Sequence, residues 1–150
     1  MAGRVQQADF DAGRELQAFR AAGTRAGAIV SFIGLVRDQL GDDDAIQALT
    51  LEHYPGMTER VLANIEHQAR QRWGLDDVLI VHRVGRLQPG DQIVLVMVSA
   101  AHRGEAFAAC EFLMDYLKTK APFWKKEDTD RGSRWIEARD SDDQAAGRWE

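Results

Sequence analysis

The apolar positions alternate between two rhythms. From about Asp9 to Ala22 they recur at helical spacing: Phe10, Leu16 and Phe19 make one side, Asp9 or Asp11 offers an N-cap, and Gly23 a stop. Residues 28–36, Ala-Ile-Val-Ser-Phe-Ile-Gly-Leu-Val, are almost continuously apolar and predict a strand buried on both faces. Arg37 ends that run, and Gly41-Asp42-Asp43-Asp44 reads as a solvated loop. A second strand is predicted over about Ala45 to His53, broken by Pro55-Gly56.

The next stretch, about Met57 to Trp73, carries Met57, Val61, Ile65, Ala69 and Trp73 on one side and is followed by Gly74, a helix with a stop. Strands near Val78–Val84 and Gln92–Ala100 flank the turn Pro89-Gly90-Asp91, so a hairpin is expected. A third helix, about Gly104 to Lys120, buries Ala106, Cys110, Leu113 and Leu117, and Pro122 bars its continuation. Two short strands, Phe123–Glu127 and Arg134–Arg139, surround Asp130-Arg131-Gly132-Ser133. The polar tail after Asp140 is expected to be loosely held. Three helices among about seven strands, many of them hairpin neighbours, predict an α+β fold. With 150 residues, no repeat and no linker, the chain is expected to be one domain, 1–150.

Composition changes this picture little until charge is considered. The net charge of −5, from 19 basic and 24 acidic residues, disfavours nucleic acid binding over the whole surface. One cysteine, Cys110, leaves no intrachain disulfide. The first residues lack an apolar signal core, and the longest apolar run is too short for a membrane helix, so the cytoplasm is the expected compartment.

Against this acidic background Tyr116–Lys126 holds four lysines and no acid. Lys118 falls in the last turn of a helix and Lys125 on the next strand; the proline-bounded turn between them can bring their ammonium groups together, walled by Phe123 and Trp124. The bland alternative is strong: lysines favour helix C-termini through the macrodipole and keep strand edges soluble. A second candidate is Ser99–Glu105, where a strand gives way to a helix start. There His102 and Arg103 beside free N–H groups suit a phosphate or carboxylate, or else are surface Arg and capping His. A third is Arg37, a fixed charge at a strand end, with pairing to Asp42, Asp43 or Asp44 as its plain reading.

Cys110 sits on an apolar helix stripe and reads as structural. His53, His67 and His82 are scattered without metal-ligand spacing, so no metal and no cofactor are expected. Glycine-rich phosphate loops and a Gly-x-Ser-x-Gly elbow are absent from the sequence. The residues by themselves therefore stop at a soluble α+β domain with a basic pocket for an anionic small molecule.

Several blocks carry more. Leu49-Thr50-Leu51-Glu52-His53-Tyr54-Pro55-Gly56-Met57, His82-Arg83-Val84-Gly85, Ala101-His102-Arg103, the run from Met114 to Lys126 containing Tyr116-Leu117-Lys118 and Ala121-Pro122-Phe123-Trp124-Lys125, and Trp135-Ile136-Glu137-Ala138-Arg139 together resemble the large-subunit (MoaE) family of molybdopterin synthase. The likeness runs in order from about Gly27 to Trp149.

The resemblance implies an α/β-hammerhead fold with an additional small antiparallel sheet. It implies a homodimer that binds a small ubiquitin-like subunit at each end, a heterotetramer in all. That subunit carries a C-terminal Gly-Gly thiocarboxylate, and its sulfur goes to cyclic pyranopterin monophosphate to make the dithiolene of molybdopterin. Lys118 and Lys125 then correspond to catalytic lysines. Leu35, Val36, Arg37, His102, Arg103, Lys126, Glu127 and Arg139 correspond to substrate-binding positions, with His102 and Arg103 reaching across the dimer. Phe32 and Met114 correspond to the apolar lining where the partner's tail enters. Leu35 and Lys120 depart from family members that carry a basic residue and an arginine there. A non-catalytic dimeric scaffold for a ubiquitin-like protein is the alternative, and a nucleotide or RNA binder using residues 118–126 is a weaker one.

Overall fold

The structure, a computed structural model, describes residues 3–23, 25–40, 44–130, 132–136 and 140–150. In chain order these form β1 (Arg4–Gln6), α1 (Ala12–Ala21), β2 (Ala28–Leu35), β3 (Gln39–Leu40), β4 (Asp44–His53), α2 (Met57–Arg72), β5 (Leu75–Arg83), β6 (Gly85–Leu87), β7 (Gln92–Ala100), α3 (Arg103–Thr119), β8 (Phe123–Thr129), β9 (Gly132–Ile136) and α4 (Asp140–Gly147). The class is α+β, as the pattern predicts.

The four-stranded sheet has the order β1-β5-β7-β2, with β1 parallel to β5 and the other pairs antiparallel. Its central strands are unbroken runs of Val, Leu, Ile and Met because both their faces are covered. Val78, Ile80, Val94, Val96 and Val98 pack with Leu62, Ile65 and Ala69 of α2 and Phe112, Leu113 and Leu117 of α3. Leu79, Val81, Leu95 and Met97 face the other way, onto Phe10 and Phe19 beside α1. The second sheet has the order β3-β4-β8-β9, with β6 also paired to β4.

β5 and β7 pair as expected, but the connection is more than a hairpin loop: β6 leaves the first sheet to join β4 in the second. The chain then returns through Gln88–Asp91, where Asp91 N–H donates to Gln88 O at 2.9 Å and Gly90 has φ 89. Proline followed by a positive-φ glycine is the signature of a type II turn.

The expectation of a doubly buried β2 is corrected. β2 is the edge of its sheet, and Phe32, Ile33 and Leu35 are 40%, 39% and 54% exposed. An apolar run marks burial somewhere, and this chain alone does not cover it.

The tail expectation is corrected too. Residues 140–147 form α4, and Trp149 packs edge-on to Trp73 and Phe112 at 5.6 and 5.7 Å. Its indole N–H donates to Asp115 at 2.7 Å, and Arg148 bridges Glu111 and Asp115, both at 2.8 Å. The tail's polar composition hid one half-buried ring and the buried Ala146. At α1, Asp11 is the residue that caps, accepting from Arg14 N–H; Asp9 instead accepts from Phe10 N–H and Gln92.

Candidate active site

Strand and helix directions decide what meets what. β7 runs from Gln92 to Ala100, and α3 returns across it from Arg103 to Thr119, packing on β7 and β2. The C-terminal turn of α3, with Lys118, therefore lies over the beginning of β7. Val94, near that end, is flanked by Gly34 of β2 on one side and His82 of β5 on the other. Leu117, Val94 and Phe123 belong to one packed cluster, which ties this end of α3 to the start of β8. Arg37, exposed just past β2, sits at the same end.

On β8 the side chains alternate. Phe123, Lys125, Glu127 and Thr129 share one face, while Trp124, Lys126 and Asp128 share the other. Lys125 is half-buried, opposite Leu51 on β4 and Ile136 on β9. Lys118 is exposed at the helix end. Both lysines act electrostatically on one buried imidazole, His82, whose pKa is lowered to about 4, by burial first and then by Lys125, Lys118 and His53. The structure thus brings Lys118, Lys125 and His82 into one neighbourhood.

Glu127 lies two residues beyond Lys125 on the same face and is 1% exposed. One of its carboxylate oxygens contacts Arg134 Nε; the other, Oε2, is buried with no hydrogen-bond partner. Lys126, by contrast, points to the opposite face, its ammonium 5.9 Å from the ring centroid of exposed Trp135.

Alongside α3, a groove of about 300 Å³ opens between that helix and β2, lined among others by Val30, Phe32, Phe107, Cys110 and Met114. Met114, in the lining of the groove, is one helical turn before Lys118 on the same helix. Cys110 lies in its wall with its thiol pKa pushed up to about 11, first by burial and then by Glu111; it is a packing group.

Two predicted positions lie elsewhere. His102 is the N-cap residue of α3 and Arg103 its first residue, both exposed, and the His102 side chain makes no cap bond. At 1.5 Å per residue the helix sets Arg103 roughly 22 Å from Lys118. Val36 is buried among Leu49, Leu51 and Leu87, and its N–H and C=O bond to Asp91 and Gly90. Leu35 is exposed beside it. Lys120 reaches back to Glu150 at 3.4 Å. Arg139 lies outside the described residues. Among the described residues no cluster of three or more His, Cys, Asp or Glu could hold a metal ion.

A sequence model of the MoaE protein family matches residues 5–120. The chain belongs to the MoaE protein family. The molybdopterin synthase catalytic subunit of Ralstonia nicotianae is 60% identical over 146 residues, 97% of this chain and 82% of that one. The solved molybdopterin biosynthesis MoaE protein of Burkholderia ambifaria superposes with a TM-score of 0.84 at 55% identity, covering 99% of this chain and 98% of that chain. More distantly, a complex of subunits 1 and 2 of molybdopterin-converting factor from Helicobacter pylori shares the fold, with a TM-score of 0.75, 23% identity and 91% of each chain covered.

The lysine cluster pointed to Lys118 and Lys125 from the sequence alone, the resemblance added Glu127, and β8 carries Lys125 and Glu127 on one face. The resemblance did not supply His82. That residue was set aside for want of ligand spacing, because His82 and Phe123 meet only through a contact between sheets.

Proposed function

We propose that this chain is the catalytic subunit of a molybdopterin synthase, a sulfurtransferase, working in the cytoplasm as one catalytic domain over residues 1–150. It takes one sulfur from the C-terminal Gly-Gly thiocarboxylate of each of two small ubiquitin-like subunits in succession and passes it to cyclic pyranopterin monophosphate; each new carbon–sulfur bond displaces a substrate oxygen, and water cleaves each acyl–sulfur bond, leaving a carboxylate on the partner and the dithiolene on the pterin. In this reading the first sheet with its helices is the hammerhead unit and the second sheet the added subdomain. The observation that carries the reading is the apolar groove between α3 and β2, whose lining reaches Met114, one helical turn before Lys118. A flexible peptide tail fits such a groove in extended form, and its terminus arrives at the lysines.

The chemistry needs cations there. A thiocarboxylate and a phosphate ester repel each other, and fixed ammonium and guanidinium groups remove that penalty while holding the reacting atoms close. Lys118 moves the proton as sulfur attacks the pterin-derived carbon. Lys125 and Arg37 hold the substrate, with Glu127 two residues from Lys125 on the same face of β8. Val36 holds Arg37 in place from the core, with Leu35 beside it. Lys126, on the far face of β8, adds a contact only at the rim, and Arg139 joins the set by the resemblance alone.

His102 and Arg103 bind the phosphate at a helix N-terminus. Since Arg103 is roughly 22 Å along α3 from Lys118 in the same chain, the phosphate seat serving Lys118 comes from a second copy. A homodimer then has two composite sites, each with its small subunit.

The test is reconstitution with thiocarboxylated partner and the pterin precursor, with mass spectrometry of the pterin. Wild-type protein adds two sulfurs. Lys118→Ala binds the partner normally and adds none. Near-normal sulfur transfer by that variant overturns the assignment.

A further inference from the structure

His82 sits near the end of β5, in the sheet that carries α3 but not β8. It is 7% exposed, and its ring stacks on Phe123 with centroids 3.8 Å apart and planes 13° from parallel. Nδ1 is 2.8 Å from the carbonyl oxygen of Arg83. A carbonyl only accepts, so Nδ1 carries the hydrogen, and in the neutral ring Nε2 keeps a bare lone pair. The His53 ring stands 6.3 Å from that of Phe123, its partner in the β4–β8 register. Phe123 begins β8, and Lys125 follows two residues later on the same face.

We propose that His82 is a positioning residue for the lysine pair: its uncharged ring, stacked on Phe123, fixes the start of β8 against the first sheet and so sets Lys125 relative to Lys118. This rests on the reading of the two lysines given above. Three features make the stack suited to the task. It joins the two sheets at the point where the chain has just left α3 through Ala121-Pro122. The carbonyl bond to Nδ1 fixes the ring's orientation as well as its place. The ring also stays neutral, with its pKa lowered to about 4 by burial and by Lys125, Lys118 and His53. A protonated ring there would add a third cation to the two that must hold an anion. Displacing a reacting group by about 1 Å costs on the order of a hundredfold in rate, so a joint two residues from Lys125 can control turnover without touching substrate.

The variants are His82→Leu, which fills the space without a flat ring, and His82→Phe, which keeps a flat, neutral ring. With the homodimer, thiocarboxylated partner and pterin precursor, His82→Leu lowers kcat about tenfold or more and leaves KM for the precursor within about twofold. His82→Phe restores most of that loss. Acylation of Lys125, read by peptide mass spectrometry, reports the amine's surroundings without any turnover. It changes about threefold or more in His82→Leu and little in His82→Phe. Wild-type kcat in His82→Leu, or equal losses in both variants, overturns the proposal. Wild-type protein that transfers no sulfur while Lys125 reactivity still follows the ring would sink the functional reading alone, and the positioning role would stand.

Discussion

A histidine buried neutral leaves a mark on stability as well as on the site. In the unfolded chain the His82 ring has its ordinary pKa of 6.5, and in the fold about 4. Above 6.5 both states are neutral and nothing is lost. As pH falls from 6.5 toward 4 the unfolded state takes up the proton first, so stability drains away through that window. The loss at about pH 4.5 is roughly 2 kcal/mol. Asp9 and Asp77, both held below the usual carboxylate range, contribute stability that goes only at lower pH. Asp9 is lowered chiefly by its bond from Gln92; at Asp77, burial opposes the shift and hydrogen bonds, Val78 N–H among them, outweigh it. Urea unfolding at pH 7 and at about pH 4.5 should therefore show a fall in midpoint that His82→Phe flattens. An unchanged slope in that variant would mean another group titrates there.

At the scale of elements, two features depend on close packing that residue types do not announce. The segment entering β2 passes so near the end of β7 that a Cβ on Gly27 would lie 2.2 Å from the carbonyl oxygen of Ala101. Backbone cannot yield there as a side chain would, so Gly27→Ala should destabilise by about 2 kcal/mol and disturb the His102-Arg103 helix start; thermal unfolding and precursor binding would report the two effects. The C-terminal clamp makes the second prediction. Trp149 closes an aromatic cluster with Trp73 and Phe112 and bonds to Asp115 on the helix that carries Lys118. Trp149→Ala should cost about 2–3 kcal/mol, seen as a lowered Tm, with sulfur transfer reduced less than stability. An unchanged Tm would show the clamp to be incidental.

Legibility also divides by element. Long periodic segments were readable: α2, α3, β5 and β7 lie within a few residues of their predicted places, because hydrophobic spacing is a local property. The three-residue β1, parallel to β5, and the two-residue β3 left no pattern to read. β2 was recognised as a strand and misplaced in depth, since an apolar run looks the same whether its cover is this chain or another. The lysine cluster was visible in the sequence, yet only the β8 alternation separates Lys125 from Lys126. The stack of His82 on Phe123 joins residues 41 apart and had no sequence signal at all.

For the whole molecule, the proposed function leaves the site of one chain incomplete. Lys118 and the His102-Arg103 pair stand at opposite ends of α3, and the apolar face of β2 is open. In that reading a second copy that brings its own His102 and Arg103 to the first copy's lysines would complete the site. The direct measurement mixes Lys118→Ala and Arg103→Ala chains, each inactive alone. In a mixed dimer with shared sites, one site has both wild-type residues and the other has neither. Random mixing should then restore about a quarter of wild-type sulfur transfer. No activity above that of either variant alone would place Lys118 and Arg103 in separate duties within one chain, and the composite site would be wrong.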